Sequence, residues 1–295
     1  MKIVQSFWSK PLRQCTGPAA SNTGACGWPD KKYNYFSWAL SSLQFRKYYD
    51  EVELITDKAG HDLLIDKFQL PYTSVNIVLD DLNEYDPDLW AIGKIYAYSI
   101  QTGPFIHADG DVIIWEKFNE NFENSSLLCQ CKEEEHRLDN MYWTTFLSVM
   151  QNFEYYPAVL NKSISRNNCI KAINAGIIGG HNIRFFREYV KKAFEFVDKN
   201  IAHLYKVNKG AFNIIFEQFL FHALCEEEQE EINYFDTTTV AFHDYSGVPS
   251  KTKYIHAPGT RKQEKYFADW LEYTLHAMYP KYYYKIVNLL KTGQV

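Results

Sequence analysis

Apolar and polar residues follow two rhythms in the first part of the chain. Short apolar runs bounded by polar residues are typical of strands, and apolar residues three and four apart are typical of helices. The strands predicted in this way cover 3–7, 52–56, 75–79 and 105–115, and the helices cover 36–48, 61–68 and 87–99. Strands that alternate with helices predict an α/β fold with a parallel sheet, whose ligand lies at the carboxyl ends of the strands.

The alternation is lost after residue 115. Further strands are predicted over 127–130, 169–178, 239–242 and 254–255, and further helices over 141–150, 182–199, 212–221 and the C-terminal segment. We therefore expect a Rossmann-type mixed sheet flanked by helices, followed by a helical C-terminal segment. The predicted organisation is a single domain of residues 1–262, with halves 1–115 and 116–262, and an extension of residues 263–295 packed on it.

A long stretch without periodicity follows the first predicted strand. Residues 10–30 contain three prolines and three glycines, which predicts an irregular loop. Loops of this length in a compact domain often cover a binding site, and plain disorder is the alternative.

Two carboxylates interrupt the apolar run at 105–115. Asp109 and Asp111 can point to the same side of an extended backbone, and Gly110 allows a turn or the close approach of a ligand. Carboxylates this close in an otherwise buried run are costly unless a cation shares their charge. Two hard oxygen ligands favour Mg²⁺ or Mn²⁺ carrying a diphosphate. The alternative is a strand end with two solvated acids in a turn.

Polar residues also lie inside later apolar segments. Glu217 and Gln218 belong to the predicted apolar helix 212–221, and Asn174 belongs to the predicted strand 169–178. Buried polar side chains need partners, and a pocket shared with Asn174 is where we expect the pair to find them. Alternatively, Glu217 and Gln218 bond to neighbouring backbone and only fix the helix.

A histidine near the C-terminus is followed by a predicted turn and two basic residues. His256 closes a short predicted strand and precedes Pro258, Gly259, Arg261 and Lys262. Such a turn can bring a metal ligand and phosphate-binding groups together. A single histidine is more often a hydrogen-bonded structural residue, so both interpretations stay open.

Composition narrows the class of protein. The 295 residues can bury a sizeable core, and the aromatic fraction of 17% suits either stacking surfaces or core packing. The net charge of −5 gives no support to a nucleic-acid partner. Six cysteines show neither a zinc spacing nor a dense disulfide framework, so we expect mostly free thiols in a reducing cytosol. We expect neither a signal peptide nor a membrane-spanning segment.

Three of these features form an ordered set of motifs. They are Asp109-x-Asp111, Asn174-Ala175-Gly176 and His256-x-x-Gly259-x-x-Lys262. Together they resemble the GT-A fold glycosyltransferases, and most closely the glycogenin-like retaining branch, whose members share the motifs in this order. The resemblance covers residues 1 to about 262, and the identities are confined to the motifs.

The resemblance implies roles for individual residues. Asp109, Asp111 and His256 would bind Mn²⁺ or Mg²⁺. The nucleotide-sugar donor would be held by Asp109, Gly259, Lys262 and Lys94, the last of these standing where the family more often has arginine. Glu217 and Gln218 match an acid–glutamine pair, with glutamate where aspartate is more usual, and we predict that they are catalytic together with Asn174.

The implied function is a metal-dependent hexosyltransferase that retains anomeric configuration. The donor would be a nucleotide diphosphate sugar, most simply a UDP-hexose, bound by residues 1–115, and residues 116–262 would meet a saccharide or lipid-linked acceptor. The expected setting is polysaccharide biosynthesis in the cytoplasm. A peripheral place at the inner membrane face, with weak association through C-terminal tyrosines and lysines, is a further alternative.

Two other functions fit parts of the sequence. A non-catalytic protein that binds sugar nucleotides or glycans could use the same scaffold, since fold does not guarantee activity. A nucleotidyltransferase also uses paired carboxylates beside a sheet, but it leaves the motif at His256 unexplained.

Overall fold

The computed structural model describes residues 1–14, 26–236 and 247–295. The predicted strand 239–242 and part of the predicted loop 10–30 lie outside these ranges. Within them, no helix combines the length and the apolar character needed to cross a membrane.

The strands confirm a mixed sheet. Those within the described residues are β1 (Lys2–Phe7), β2 (Val52–Thr56), β3 (Ser74–Ile77), β4 (Phe105–Ala108), β5 (Val112–Ile114), β6 (Leu127–Glu135), β7 (Ile170–Gly180), β8 (Ile232–Tyr234) and β9 (Tyr254–His256). Seven of them form one sheet in the order β3-β2-β1-β4-β7-β6-β8, and β5 pairs with β9 in a second sheet. β1, β2 and β3 are parallel, whereas β6 and β7 are antiparallel.

Helices lie between and after the strands, which confirms the predicted α/β class and the helical C-terminal segment. The α-helices are α1 (Ser9–Gln14), α2 (Lys31–Tyr48), α3 (Lys58–His61), α4 (Ile92–Ser99), α5 (Glu120–Glu123), α6 (Met141–Asn152), α7 (Ala158–Asn167), α8 (Ile183–Asp198), α9 (Lys209–Ile214), α10 (Leu220–Glu228), α11 (Lys265–Met278) and α12 (Pro280–Lys291). In the part of the chain that the structure describes, two π-helical turns cover Asp62–Lys67 and Ile215–Phe219, and 3-10 turns cover Leu79–Leu82, Ile201–Lys206 and Gly259–Gln263.

Two helix starts differ from the prediction for reasons that lie far away in sequence. α1 begins at Ser9 and runs into the predicted loop 10–30. The backbone N–H and hydroxyl of Ser9 both donate to the carboxylate of Asp57, at 2.8 and 2.7 Å. This distant carboxylate caps a helix whose local sequence, with Pro11 in its first turn, gives little helical signal.

The other difference concerns α4, which begins at Ile92 and not at Pro87. The amide of Asn213 donates to the carbonyl of Asp88 and accepts from the backbone N–H of Ala91, both at 2.8 Å. The side chain thus satisfies backbone groups that a helix would otherwise use, and these residues stay non-helical.

The chain forms two compact units. Unit 1 contains Met1–Pro87, Ala108–Phe118 and Phe242–Val295, and unit 2 contains Asp88–His107 and Asn119–Ala241. Unit 1 thus combines segments of both predicted halves with the C-terminal segment. The predicted domain of residues 1–262 with its extension 263–295 stays a prediction.

Each unit has its own buried core. In unit 1, α2 is buried along most of its length and α11 and α12 pack against it. In unit 2, aromatic rings pack edge to face, as Tyr189 does on Phe221 at a centroid distance of 5.1 Å. The cysteines within the described residues are free thiols, and Cys15 lies outside those residues.

Candidate functional site

The motif Asp109-x-Asp111 forms the turn between β4 and β5. β5 pairs antiparallel with β9, and this register places Val112 opposite His256. The backbone N–H of Ala257 donates to the carbonyl of Asp111 at 3.3 Å. A strand pairing between segments far apart in sequence therefore brings the histidine of the last motif to the carboxylates of the first.

The side chains of these residues converge within unit 1. Nε2 of His256 lies 3.4 Å from Oδ1 of Asp111 and 4.0 Å from Oδ2 of Asp109. One ligand atom from each of the three lies within 4.8 Å of the others. We refer to Asp109, Asp111, His256 and Lys262 as the carboxylate cluster.

Lys262 completes the carboxylate cluster. Its Nζ lies 2.7 Å from Oδ2 of Asp111. Burial alone would raise the pKa of Asp111, but the interactions with Lys262 and His256 outweigh it, so this pKa lies below its ordinary value. Burial alone would lower the pKa of Lys262, but Asp111 outweighs it and raises this pKa. Both groups are therefore charged at neutral pH.

The turn of the motif is supported by α2. Ser37 Oγ donates to the carbonyl of Gly110 at 2.9 Å, and Ser41 Oγ donates to the carbonyl of Val112. A Cβ atom at Gly110 would lie only 2.3 Å from Cε2 of Trp38. Glycine is thus required at position 110 because a side chain there would collide with the indole ring of Trp38. The sequence alone had allowed two explanations for this glycine, a turn or the close approach of a ligand.

Gly259 shapes the segment that delivers Lys262. Its φ is +53°, and apart from its chain neighbours no described residue has an atom within 4 Å of the position that a Cβ would take. The backbone conformation, and not crowding, therefore favours glycine here. Trp28, which sequence reasoning missed, lies beside this segment, with Nζ of Lys262 5.9 Å from its ring centroid.

The carboxylate cluster fits a divalent cation. It offers two carboxylates and an imidazole, a set of hard oxygen donors and one nitrogen. Oδ1 of Asp111 is buried and makes no hydrogen bond among the described residues, while the side chain of Asp109 is 24% exposed. Such an oxygen is costly to bury without a cation.

Unit 2 contains a second polar group, around the predicted catalytic residues. Lys94 Nζ lies 2.6 Å from Oε1 of Glu217 and donates to the carbonyl of Ala175 at 3.2 Å. The side chains of Lys94 and Glu217 are 9% and 0% exposed. The cation predicted to bind the donor is thus paired within unit 2.

Hydrogen bonds extend this pair into a network. The Tyr142 hydroxyl contacts Oε1 of Gln218 and Oε2 of Glu133, and the latter distance is 2.6 Å. Asn174 Nδ2 donates to Oε1 of Glu133 at 3.0 Å, and the amide of Gln218 lies 3.5 Å from Glu217. We refer to Lys94, Glu133, Tyr142, Asn174, Glu217 and Gln218 as the buried network.

The buried network agrees with part of the sequence prediction. Glu217 and Gln218 lie in the π-helical turn Ile215–Phe219, and such turns are frequent at functional sites. The prediction missed Glu133 and Tyr142. Glu133 belongs to the charged run 132–135, which resembles a solvated strand end, and strand alternation is the one signal that separates it from its neighbours.

Burial also shifts the pKa of a histidine near Lys94, His107. Burial, with the nearby charge of Lys94 as the second cause, places the pKa of His107 well below its ordinary value. His107 is therefore neutral at physiological pH.

A model for a family of unknown function, DUF6734, matches residues 1–289. No curated protein matches the sequence.

Several solved structures with a low likeness to the chain are of glycosyltransferases. Mouse xyloside xylosyltransferase 1 in its apo form is 9% identical, with a TM-score of 0.36, over 80% of this chain and 84% of that chain. The galactosyltransferase LgtC with donor and acceptor sugar analogues is 11% identical, with a TM-score of 0.37, over 73% and 70%. GlyE of Streptococcus pneumoniae TIGR4 is 10% identical, with a TM-score of 0.35, over 73% and 43%. Likeness of this size does not assign an activity.

Proposed function

The chain belongs to DUF6734, a family of unknown function, and we propose that it transfers a hexose from a nucleotide diphosphate sugar to an acceptor hydroxyl. The proposal rests on one observation, the convergence of Asp109, Asp111 and His256 beside the ammonium group of Lys262. Two solvated acids in a turn would not require a buried imidazole and a partly buried lysine from residues so distant in sequence. The order of the three motifs gives additional support.

The chemistry explains why these groups suit the reaction. The bond between the anomeric carbon and the diphosphate oxygen breaks, and its electron pair leaves with the diphosphate. The acceptor oxygen bonds to the anomeric carbon, and its proton passes to an oxygen of the leaving phosphate. Mn²⁺ or Mg²⁺, held by Asp109, Asp111 and His256, would supply positive charge for the diphosphate. Lys262 supplies a second positive charge from the protein itself, and Gly259 sets the turn that positions it.

The finer parts of the proposal concern donor and stereochemistry. We propose UDP-hexose as the donor and retention of anomeric configuration, as in the glycogenin-like branch that the motifs resemble. In this account Gln218 and Glu217 orient sugar or acceptor hydroxyls with Asn174. These roles are supported by the hydrogen bonds that link the three residues within the buried network, in which Gln218 is partly exposed. The donor contact of Lys94 stays a prediction.

A ligand panel tests the proposal. Thermal unfolding of the full chain is followed with UDP, GDP, CMP and the corresponding sugar nucleotides, each with Mn²⁺ and with chelator. We expect stabilisation by UDP and UDP-sugars in the presence of Mn²⁺. Selective stabilisation by GDP or CMP would overturn the donor assignment.

Product analysis separates the proposal from its alternatives. Incubation with the stabilising sugar nucleotide and a panel of saccharide acceptors should release nucleoside diphosphate, and proton NMR of the first product should show the anomeric configuration of the donor. Inversion would reject retention. Binding without any transfer or donor hydrolysis would favour the binding protein, and pyrophosphate release from a nucleoside triphosphate would favour the nucleotidyltransferase.

A further inference from the structure

A second group of metal-ligating side chains lies in unit 2, at the end of β6 and the start of β7. Glu134, His136 and Cys169 offer one carboxylate, one imidazole and one thiol, with one ligand atom from each within 4.8 Å of the others. None of these residues belongs to the carboxylate cluster or to the buried network.

The strand register explains why they meet. β6 and β7 are antiparallel, with Glu134 opposite Lys171 and Glu135 opposite Ile170. His136 and Cys169 are the next residues outward on the two chains. Side chains two apart on a strand share a face, as do side chains on directly opposite residues. The pairing therefore places Glu134, His136 and Cys169 on one face, at one end of the antiparallel pair of strands.

The carboxylate is already oriented. Oε2 of Glu134 lies 2.7 Å from Nζ of Lys132, and Oε1 lies 3.1 Å from Nε2 of His136. One carboxylate oxygen is thus held by a lysine while the other faces the imidazole. Cys169 is fully buried and His136 is exposed, so the group spans the boundary between interior and solvent.

We propose that Glu134, His136 and Cys169 bind one Zn²⁺. Zinc accepts sulfur, nitrogen and oxygen ligands, whereas Mg²⁺ and Mn²⁺ favour oxygen. Ligand atoms around tetrahedral zinc are about 3.4 Å apart, given bonds of about 2.1 Å. The distance between His136 and Glu134 is already close to this value, and the exposed imidazole can move. Three protein ligands leave one position for water.

The site has a structural consequence within unit 2. An ion bound by these residues would join the end of β6 to the start of β7, the strand that contains Asn174. It would also close the connection that contains α6 and α7. Because the unfolded chain does not preform the site, zinc binding stabilises the folded state. The proposal is independent of the proposed transfer reaction.

Zinc binding to the full chain provides the test. Equilibrium dialysis against Zn²⁺, with metal analysis of the protein, compares the parent with His136→Gln and Cys169→Ser. Cys26→Ser is the control for a thiol outside this group, since Cys26 lies near Lys262 and Asp111 of the carboxylate cluster. Asp109→Asn/Asp111→Asn removes the carboxylate cluster as a source of binding. Because the carboxylate cluster can also hold Zn²⁺, we expect two Zn²⁺ per chain in the parent and one in Asp109→Asn/Asp111→Asn. In that background, His136→Gln or Cys169→Ser should weaken zinc binding at least about 10-fold, and Cys26→Ser should leave it unchanged.

Cobalt substitution adds a signal that reports the thiolate. Co²⁺ bound to the parent and to Cys26→Ser should show a sulfur-to-cobalt charge-transfer band that is absent in Cys169→Ser. His136 is exposed, so His136→Gln keeps the fold and remains decisive even if Cys169→Ser unfolds. Zinc affinity that is unchanged in His136→Gln, or that disappears in Asp109→Asn/Asp111→Asn, would overturn the proposal.

Discussion

The carboxylate cluster of unit 1 and the buried network of unit 2 both pair a lysine with a carboxylate, but they differ in how their charges are satisfied. In the buried network, Glu217 has Lys94 at 2.6 Å, and Glu133 accepts from Tyr142 and Asn174. In the carboxylate cluster, a single lysine faces two aspartates, and Oδ1 of Asp111 makes no hydrogen bond among the described residues. The buried network thus balances its charges with its own side chains, whereas in the carboxylate cluster one carboxylate oxygen still lacks a hydrogen bond, as expected of a site that would bind a cation.

The largest effect is expected from breaking the buried pair. Lys94→Met or Glu217→Gln removes one partner and leaves the other in a site that water scarcely reaches, so each should lower the free energy of unfolding by about 3–5 kcal/mol. The double variant Lys94→Met/Glu217→Gln should cost much less than the sum of the single changes. Urea unfolding measures all three. Additive losses would mean that the two charges do not interact, and the contrast between the units would fail.

The second effect is expected on nucleotide binding. Asp109→Ala or Asp111→Ala should weaken Mn²⁺-dependent binding of UDP by more than about 100-fold, because each removes a metal ligand. The fold should survive, since repulsion between neighbouring carboxylates is relieved. The control is Asp50→Ala, an exposed aspartate of the same unit. Calorimetry measures binding, and parent-like affinity in both variants would reject the metal site.

These two clusters show what the sequence could predict. The spacing of Asp109 and Asp111 and the turn after His256 indicated a metal site, because short motifs leave local signals. The pairing of Lys94 with Glu217 could not be predicted, because it joins two segments far apart in sequence. The cap that Asp57 provides for α1 could not be predicted for the same reason.

The fold was predicted correctly where the local periodicity of apolar residues defines a helix or strand. The prediction failed where a side chain distant in sequence determines where a helix begins. The parallel β1, β2 and β3 follow from apolar runs, and α8 follows from its one-sided apolar face. The start of α4 does not follow from its sequence, because Asn213 occupies the backbone groups before it.

The third effect is expected from the protonation of His222, which would place an uncompensated charge inside unit 2. Burial lowers the pKa of His222 to about 4. The charged neighbours act in both directions: Glu226 and Glu134 raise this pKa, and Lys132 and Lys171 lower it. The unfolded chain therefore binds a proton near pH 6.5 and the folded chain does not, so this contribution to stability is present above pH 6.5 and is lost as the pH falls towards 4.

The predicted loss from His222 is about 2 kcal/mol between pH 7 and pH 5. Urea unfolding of the parent and of His222→Gln at both pH values measures it, and the variant should lose less stability on acidification. His61→Gln, at a more exposed histidine of unit 1, is the control. Equal pH dependence in the parent and in His222→Gln would show that unit 2 accepts this charge.

The smallest effect concerns the lysine of the carboxylate cluster. Lys262→Ala should raise the KM for the donor by about 10-fold and also lower kcat, because a contact to the diphosphate strengthens as negative charge develops. Steady-state kinetics with the sugar nucleotide measure both constants. Lys265→Ala, an exposed lysine three residues later, is the control. Unchanged constants in Lys262→Ala would leave Lys262 as a partner of Asp111 only.

The most direct measurement is a calorimetric titration of UDP into the parent chain, with Mn²⁺ and with excess chelator. The carboxylate cluster lacks enough positive charge of its own for a diphosphate, because Lys262 is already paired with Asp111. We predict clear binding with Mn²⁺ and at least about 100-fold weaker binding with chelator. Equally tight binding of UDP under both conditions would contradict the account.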